Sequence, residues 1–353
     1  MKKMSTLCLS ALFLAGTVAA QEAQDTVYYQ IPNSDFENWA ADNEPGNGWN
    51  SFASAVGSMS WAASMSPAPL KVAGYDSETA VQLSSVSVLG IANANGNLTT
   101  GAINMGSMTP DAPENYNFSD LDNAGHNLPF AGMPDSVSCY AKFVSGGSEN
   151  GRGQFILHDQ YEYRDPELTE DAAHKIGQGT ILIPATADWT YFSAPMTYTG
   201  NTAPAGQQYL LASFTTNPVP GGSANDTLTV DKVRFIYNSR LESLSIGGEA
   251  LAGFDKNTYS YVLRGDVPAA DAVAAVADGR AATVETTVEG NTVTIVVRGG
   301  DYAVNQENTH TYTIVYDTTV TAYYQLSNAD FENWAADNEP GNGWNSFASA
   351  VGS

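Results

Sequence analysis

The chain has little cysteine, little positive charge and, beyond its first 20 residues, no long apolar run. Its two cysteines are Cys8 and Cys139. Cys8 falls in a leader that would be removed, so Cys139 has no partner for an intrachain disulfide. A small buried hydrophobe on a strand is its expected role. Lys and Arg number 14 against 38 Asp and Glu, a formal net charge of −24. That balance repels nucleic acid and anionic membrane surfaces, so neither is expected as a partner. Helical periodicity is missing as well, since no window reads as an amphipathic helix of any length. No GxSxG, P-loop, HExxH or EF-hand pattern occurs, and no GxGxxG opens a helix.

What is present begins with an address. Lys2 and Lys3 precede an apolar stretch, residues 7–20, too short to span a bilayer, and Val18-Ala19-Ala20 offers a small-residue cleavage site. This is the pattern of a secretory signal. Lipid attachment at Cys8 is the alternative, but Cys8 opens the apolar run, whereas a lipidated cysteine would close it. The mature chain is expected to start near Gln21, with residues 21–27 as a linker. Its place would be the periplasm, the outer cell surface or the medium, and no transmembrane segment is expected.

Residues 28–58 return almost unchanged as residues 323–353. The two copies differ only at Ile31/Leu326, Pro32/Ser327 and Ser34/Ala329. Solenoid units repeat every ~20–50 residues, so so distant a recurrence implies duplication of a whole set of domains. Residues 318–353 then read as a linker and the start of a second, truncated repeat. Phe36 is expected to be buried and Phe331, lacking a sandwich to cover it, to be poorly packed.

Between the copies the texture is that of strands. Period-2 runs at 80–88, 136–144, 153–158, 179–183, 189–198, 209–215 and 226–237 are separated by Gly, Pro and Asn clusters. Many short strands with such turns argue for an all-β sandwich or jelly roll over residues 28–238. The apolar face switches at Asp231-Lys232, because Leu228 and Val230 share one parity while Val233, Phe235 and Tyr237 share the other. A bulge or bend is expected there. From residue 239 to 317 the texture changes. Val284, Thr286 and Val288 alternate before Glu289-Gly290-Asn291, and Val293, Ile295 and Val297 alternate after it, the mark of a hairpin. A small immunoglobulin-like sandwich fits this length.

Certain residues carry family resemblances. NSDFENW at 33–39, read as a strand, Gly48-Trp49, GNLTTG at 96–101, PDSVSCYAKF at 134–143, Trp189 and LTVDKVRFIY at 228–237 resemble the carbohydrate-metabolism domains on secreted and surface proteins of anaerobic gut bacteria. That resemblance implies a jelly roll tied by context to glycan use, with no catalytic residues to carry over. LESLSIGG at 241–248, FDKNTYSYVL at 254–263 and YTIVYD at 312–317 resemble cadherin-like β-sandwich domains, usually spacers.

Three groups of residues are candidates for a site. Glu37 and Asp231 match the acidic pair that holds a structural calcium in similar-looking carbohydrate-binding jelly rolls. Backbone carbonyls could complete the six to eight oxygens calcium takes. Otherwise Glu37 caps a turn and Asp231 is solvated. Trp39, Trp49 and Trp61, with Tyr75 nearby, could stack on sugar rings. Core burial is the commoner fate of large aromatics, although Trp49, closing the loop 42–48, is expected to be exposed. The stretch 158–174 carries His158, His174, Tyr161, Tyr163 and six carboxylates (Asp159, Glu162, Asp165, Glu167, Glu170, Asp171). It reads as a solvated connecting loop, with ligand contact through Tyr161 and Tyr163 as the alternative. The resulting expectation is a secreted, non-catalytic glycan-binding protein with calcium as its one candidate cofactor. A structural or adhesive scaffold for a protein partner is the rival, and a glycoside hydrolase the third reading. Co-planar aromatics beside Asn and Asp would favour binding, and facing carboxylates would favour hydrolysis.

Overall fold

A computed structural model describes residues 28–317, together with the strands Trp334–Ala336 and Glu339–Pro340. Among the described residues no helix is long and apolar enough to cross a membrane. The fold is all-β, as the patterning implies.

The first segment departs from the expected strand. Residues 32–35 form a turn in which the Phe36 N–H donates to the Asn33 carbonyl at 3.1 Å, with Asn33 and Phe36 at φ 48° and 53°. Asn33 is the cause: its side-chain amide donates to the carbonyls of Asn38 (2.8 Å) and Gly46 (2.9 Å) and accepts from the Asn38 N–H. An Asn that bonds nearby backbone competes with a ladder and favours a turn. A small hairpin follows, β1 (Trp39–Ala41) with β2 (Glu44–Pro45). Phe36 is fully buried, as expected. Phe331 lies outside the described residues. The hairpin itself recurs in the second copy, Trp334–Ala336 pairing with Glu339–Pro340 in the same register. Local sequence is thus enough to specify it in both contexts.

The chain then forms β3 (Leu70–Ala73), β4 (Thr79–Ser84), β5 (Val86–Val88), β6 (Ala92–Ala94), β7 (Asn97–Thr99), β8 (Ala102–Met105) and β9 (Asn115–Phe118). Long strands follow: β10 (Ser136–Val144), β11 (Asn150–His158), the short β12 (Arg164–Asp165), β13 (Lys175–Pro184), β14 (Thr186–Pro195), β15 (Thr197–Tyr198), β16 (Tyr209–Thr215) and β17 (Thr227–Ile236). Two five-stranded antiparallel sheets result, ordered β14-β10-β17-β4-β3 and β15-β13-β11-β16-β7, with the chain crossing between them from β10 to β11, β13 to β14, β14 to β15 and β16 to β17. Their inner faces make one core. Val137, Cys139, Ala141 and Phe143 of β10 meet Phe155, Leu157, Ala212 and Phe214 of the opposite sheet. Cys139 is buried, and desolvation pushes its thiol up to about 12, which removes it as a nucleophile. The bulge expected at Asp231-Lys232 is present. The β10–β17 register shifts between Ser138 and Tyr140, and Lys232 takes φ 47°. One extra residue turns the strand over, so Val230 before it and Val233 after it both reach the core.

A third layer, β12-β9-β8, lies on the outer face of the second sheet. Gly101, leading into β8, makes this stacking possible, because a Cβ there would sit 2.1 Å from the Phe118 carbonyl oxygen and 2.7 Å from a Leu211 methyl.

The remaining apolar residues form a separate cluster, from Leu241 to Tyr316. It lies between β19-β18-β21 and β20-β24-β23-β22, built from β18 (Leu241–Ile246), β19 (Glu249–Ala250), β20 (Ser260–Arg264), β21 (Val273–Ala277), β22 (Thr283–Glu289), β23 (Thr292–Arg298) and β24 (Thr309–Asp317). The expected hairpin is β22–β23, with Val288 opposite Val293 across a Gly290-Asn291 turn. Asp135 ties the two clusters together: its carboxylate accepts from the backbone N–H groups of Asn238 and Arg280, both at 2.7 Å.

Candidate ligand-binding cleft

The site grows out of the outer face of the second sheet. On β11 the outward positions are Arg152, Gln154, Ile156 and His158, directly opposite Thr215, Ser213, Leu211 and Tyr209 of β16. Sequence thus divides this face into a polar half and an apolar half. The third layer covers the apolar half, where Ile156 and Leu211 pack with the fully buried Tyr163. His158 is sandwiched there, stacked on Tyr163 and on Tyr209. Burial pushes its pKa down to about 4, so the ring is neutral. Its Nδ1 lies 2.8 Å from the Asp159 carbonyl, which can only accept. Nδ1 therefore carries the proton, and Nε2 accepts from the Ser119 hydroxyl at 2.8 Å.

Residues 158–174 are consequently not a solvated loop. His158, Tyr163, Asp165 and Asp171 are buried, and β12 pairs with β9 through Arg164↔Phe118 and Asp165↔Asn117. The apolar half of the sheet needed a cover, and this segment supplies part of it. Tyr163 is out of a ligand's reach, its hydroxyl donating to Glu167. Tyr161 is half-buried, stacked on His174 at 3.8 Å and 2°.

Where the cover stops, the polar half opens into a cleft of about 180 Å³. Arg152 and Thr215 lie at its base with Asn97 of β7, and Asn117 and Asp165 line it from the cover. Asp165 reaches across to the sheet, pairing with the Arg152 guanidinium and accepting from the Ser213 hydroxyl at 3.3 Å. Nε of Arg152 is buried and has no hydrogen-bond partner among the described residues. The amides of Asn97 and Asn117 bond reciprocally, at 2.8 and 3.4 Å. Each keeps a second N–H and a second lone pair. The Asn95–Asn217 pair is more fully used, since Asn217 also accepts from the Val219 N–H and Asn95 also donates to the Val219 carbonyl. It fixes the 217–221 rim. Met65, Met105, Met108, Pro166 and Pro218 give the remaining walls an apolar character.

This arrangement can orient hydroxyl groups and cover a C–H surface. One cation and one anion cancel, so it has no preference for a charged ligand. Asp165 is the one carboxylate among the lining residues.

The sequence candidates are scattered around it. Trp61 is two-thirds exposed on the 3-10 turn Ser60–Met65, whose Ala62 and Met65 line the cleft. Trp39 is half-buried, its indole N–H donating to the Phe36 carbonyl at 2.7 Å. Trp49 is 2% exposed, in contrast to the exposure expected for it. Asn33 holds the 42–48 loop down, and the chain leaving it places Trp49 against Phe36 (5.3 Å) and Phe214 (6.1 Å).

Glu37 and Asp231 do not fit a calcium site. Glu37 accepts from the Thr79 N–H at 3.0 Å. Asp231 accepts from the Tyr75 N–H (2.7 Å), the Ser77 hydroxyl (2.6 Å) and the Lys232 N–H (2.7 Å). Donors occupy most of the Asp231 lone pairs that a cation would need. No cluster of three or more His, Cys, Asp or Glu able to hold a metal occurs among the described residues. Asp231 is neither solvated nor free. With Glu37 it anchors the turn 74–79, where a Cβ on Gly74 would sit 2.1 Å from Ser77 Oγ.

Cleft residues Asn97, Asn117, Arg152 and Thr215 were not anticipated from sequence. A signal existed in Asn93, Asn95 and Asn97, three amides at period 2 that all line the cleft.

No protein-family model matches this chain. No curated protein matches it. Among matching solved structures is TmCBM61 in complex with beta-1,4-galactotriose, 9% identical, covering 46% of this chain and 72% of that one at a TM-score of 0.22. Overlap that slight carries no argument about this protein, and its architecture rests on the sheets above.

Proposed function

We propose that residues 28–238 are a non-catalytic carbohydrate-binding module of a secreted or surface protein, and that residues 239–317 are a spacer of cadherin-like type. The observation that carries this reading is the cleft: unspent amide groups of Asn97 and Asn117 and the half-buried Arg152 paired with the buried Asp165 stand beside methionine and proline walls. A sugar ring has the matching chemistry, with hydroxyls at its rim and a C–H face. The neutral charge balance favours a neutral glycan. The volume is below the ~300–1,000 Å³ of pockets that enclose drug-sized ligands, which suits a chain end or a single ring. A glycan-array screen of the full chain tests the reading: neutral oligosaccharides should be retained, and Asn117→Ala should lose them. An array with no neutral ligand would count against it.

A further inference from the structure

The opposite face of the same sandwich carries a second arrangement. Tyr140 and Lys142 point outward from β10, and Trp189 and Tyr191 do so from the neighbouring β14. Tyr75, on the turn between β3 and β4, stacks on Tyr140 at 3.8 Å and 16° and touches Trp189 at 6.1 Å. Tyr191 stands against Tyr140 at 5.4 Å and is half exposed. Two lysines lie against this contact chain: Lys142 Nζ is 4.6 Å from the ring centre of Trp189, at one end, and Lys232 Nζ is 5.4 Å from that of Tyr75, within it.

Three features set this surface apart from core that happens to be uncovered. The row is held in place, because the Tyr75 N–H and the Ser77 hydroxyl both donate to the buried Asp231 carboxylate. Asp231 is thereby a positioning residue for the central ring. Neither cation makes a salt bridge among the described residues, and Lys232, whose charge also acts on the buried Asp231, donates to the backbone carbonyl of Asp76. Carboxylates outnumber cations heavily in this chain, so two lysines gathered on one row of aromatic rings without a salt bridge are a departure from its general balance. Finally, the rings are flat and partly open, offering faces to a partner's C–H surface.

We infer that this platform binds an acidic polysaccharide, with uronic acid rings lying on Tyr191 and its neighbours and their carboxylates on Lys142 and Lys232. An acidic sugar combines a C–H face with an anionic edge, which matches aromatic rings flanked by ammonium groups. The site is independent of the neutral cleft on the other sheet, so either can fail without the other.

Affinity electrophoresis of the full chain tests it, in gels containing polygalacturonate, neutral dextran, dextran sulfate or poly-glutamate. Polygalacturonate should retard the protein and neutral dextran should not. Tyr191→Ala should weaken retardation about tenfold, equivalent to ~1.4 kcal/mol, and Lys142→Gln should weaken it several-fold. Salt at ~0.2 M should reduce it, since exposed charges are screened within a Debye length of about 8–10 Å. Arg152→Ala, in the cleft, should leave it unchanged. Retardation by dextran sulfate that Tyr191→Ala also weakens would support an acidic-sugar site not confined to carboxylates. Equal retardation by poly-glutamate, no retardation by polygalacturonate, or indifference to Tyr191→Ala would each overturn the inference.

Discussion

The two sandwiches use the same alternation but differ in how completely they obey it. In the smaller one, β22 and β23 alternate without interruption, and Val293, Ile295 and Val297 are fully buried against Tyr312 and Ile314. The larger one breaks the pattern repeatedly. Lys232 reverses the face of β17, His158 and Asp165 are buried polar groups, and the outer face of β11 changes from Arg and Gln to Ile and His within one strand. Both candidate sites lie at these breaks. Where every local choice agrees with the fold, nothing is left to read a ligand; departures from it mark where function can reside.

The comparison predicts separable stabilities. Trp49→Ala removes a ring from between Phe36 and Phe214 and should destabilise the larger sandwich by about 3–5 kcal/mol. The smaller sandwich should keep its melting transition, and limited proteolysis near residues 238–240 should release two stable fragments. One transition lost in common would make the two a single cooperative unit.

The second test is pH. His158 titrates at about 4 when folded and near 6.5 when unfolded, so its neutral form is favoured by the fold. Its contribution is full above pH 6.5 and is lost as pH falls toward 4, amounting to about 3 kcal/mol at most. Denaturant unfolding at pH 7 and pH 4.5 should show the larger sandwich weakened by acid, and His158→Gln should flatten that difference. An unchanged pH dependence in the variant would assign the acid sensitivity elsewhere.

A smaller effect is expected at the joint. Asp135→Ala removes the acceptor for two backbone N–H groups and should cost about 1–3 kcal/mol, seen as earlier melting and faster cleavage at the junction. The smallest effect is expected from chelation. Because Asp231 is occupied by donors, EDTA should leave the melting temperature unchanged, and a clear downward shift would restore calcium to the account.

Much of the fold was legible in the sequence because alternation reports directly on burial. The runs at 136–144 and 209–215 are the observed β10 and β16, and the valine hairpin and the bulge at Asp231-Lys232 are where the parity places them. The failures share a cause. Asn33 converts an expected strand into a turn through contacts with Asn38 and Gly46, and Trp49 is buried by a neighbour 16 residues earlier. The segment 158–174 looks solvated in composition, yet it covers a sheet face whose need for cover is set by Ile156 and Leu211. The cleft depends on which strands become neighbours: Asn97, Asn117, Arg152 and Thr215 come from four strands, and no local pattern joins them.

Calorimetric titration of a neutral oligosaccharide, chosen from the array, into the full chain and two variants tests the central claim most directly. Arg152→Ala and Tyr191→Ala sit on opposite faces of the larger sandwich. The account predicts that Arg152→Ala weakens binding at least about tenfold, the loss of a charge-assisted contact, while Tyr191→Ala binds as the unmodified protein does. Equal affinity in all three, or a loss confined to Tyr191→Ala, would contradict the assignment of the cleft.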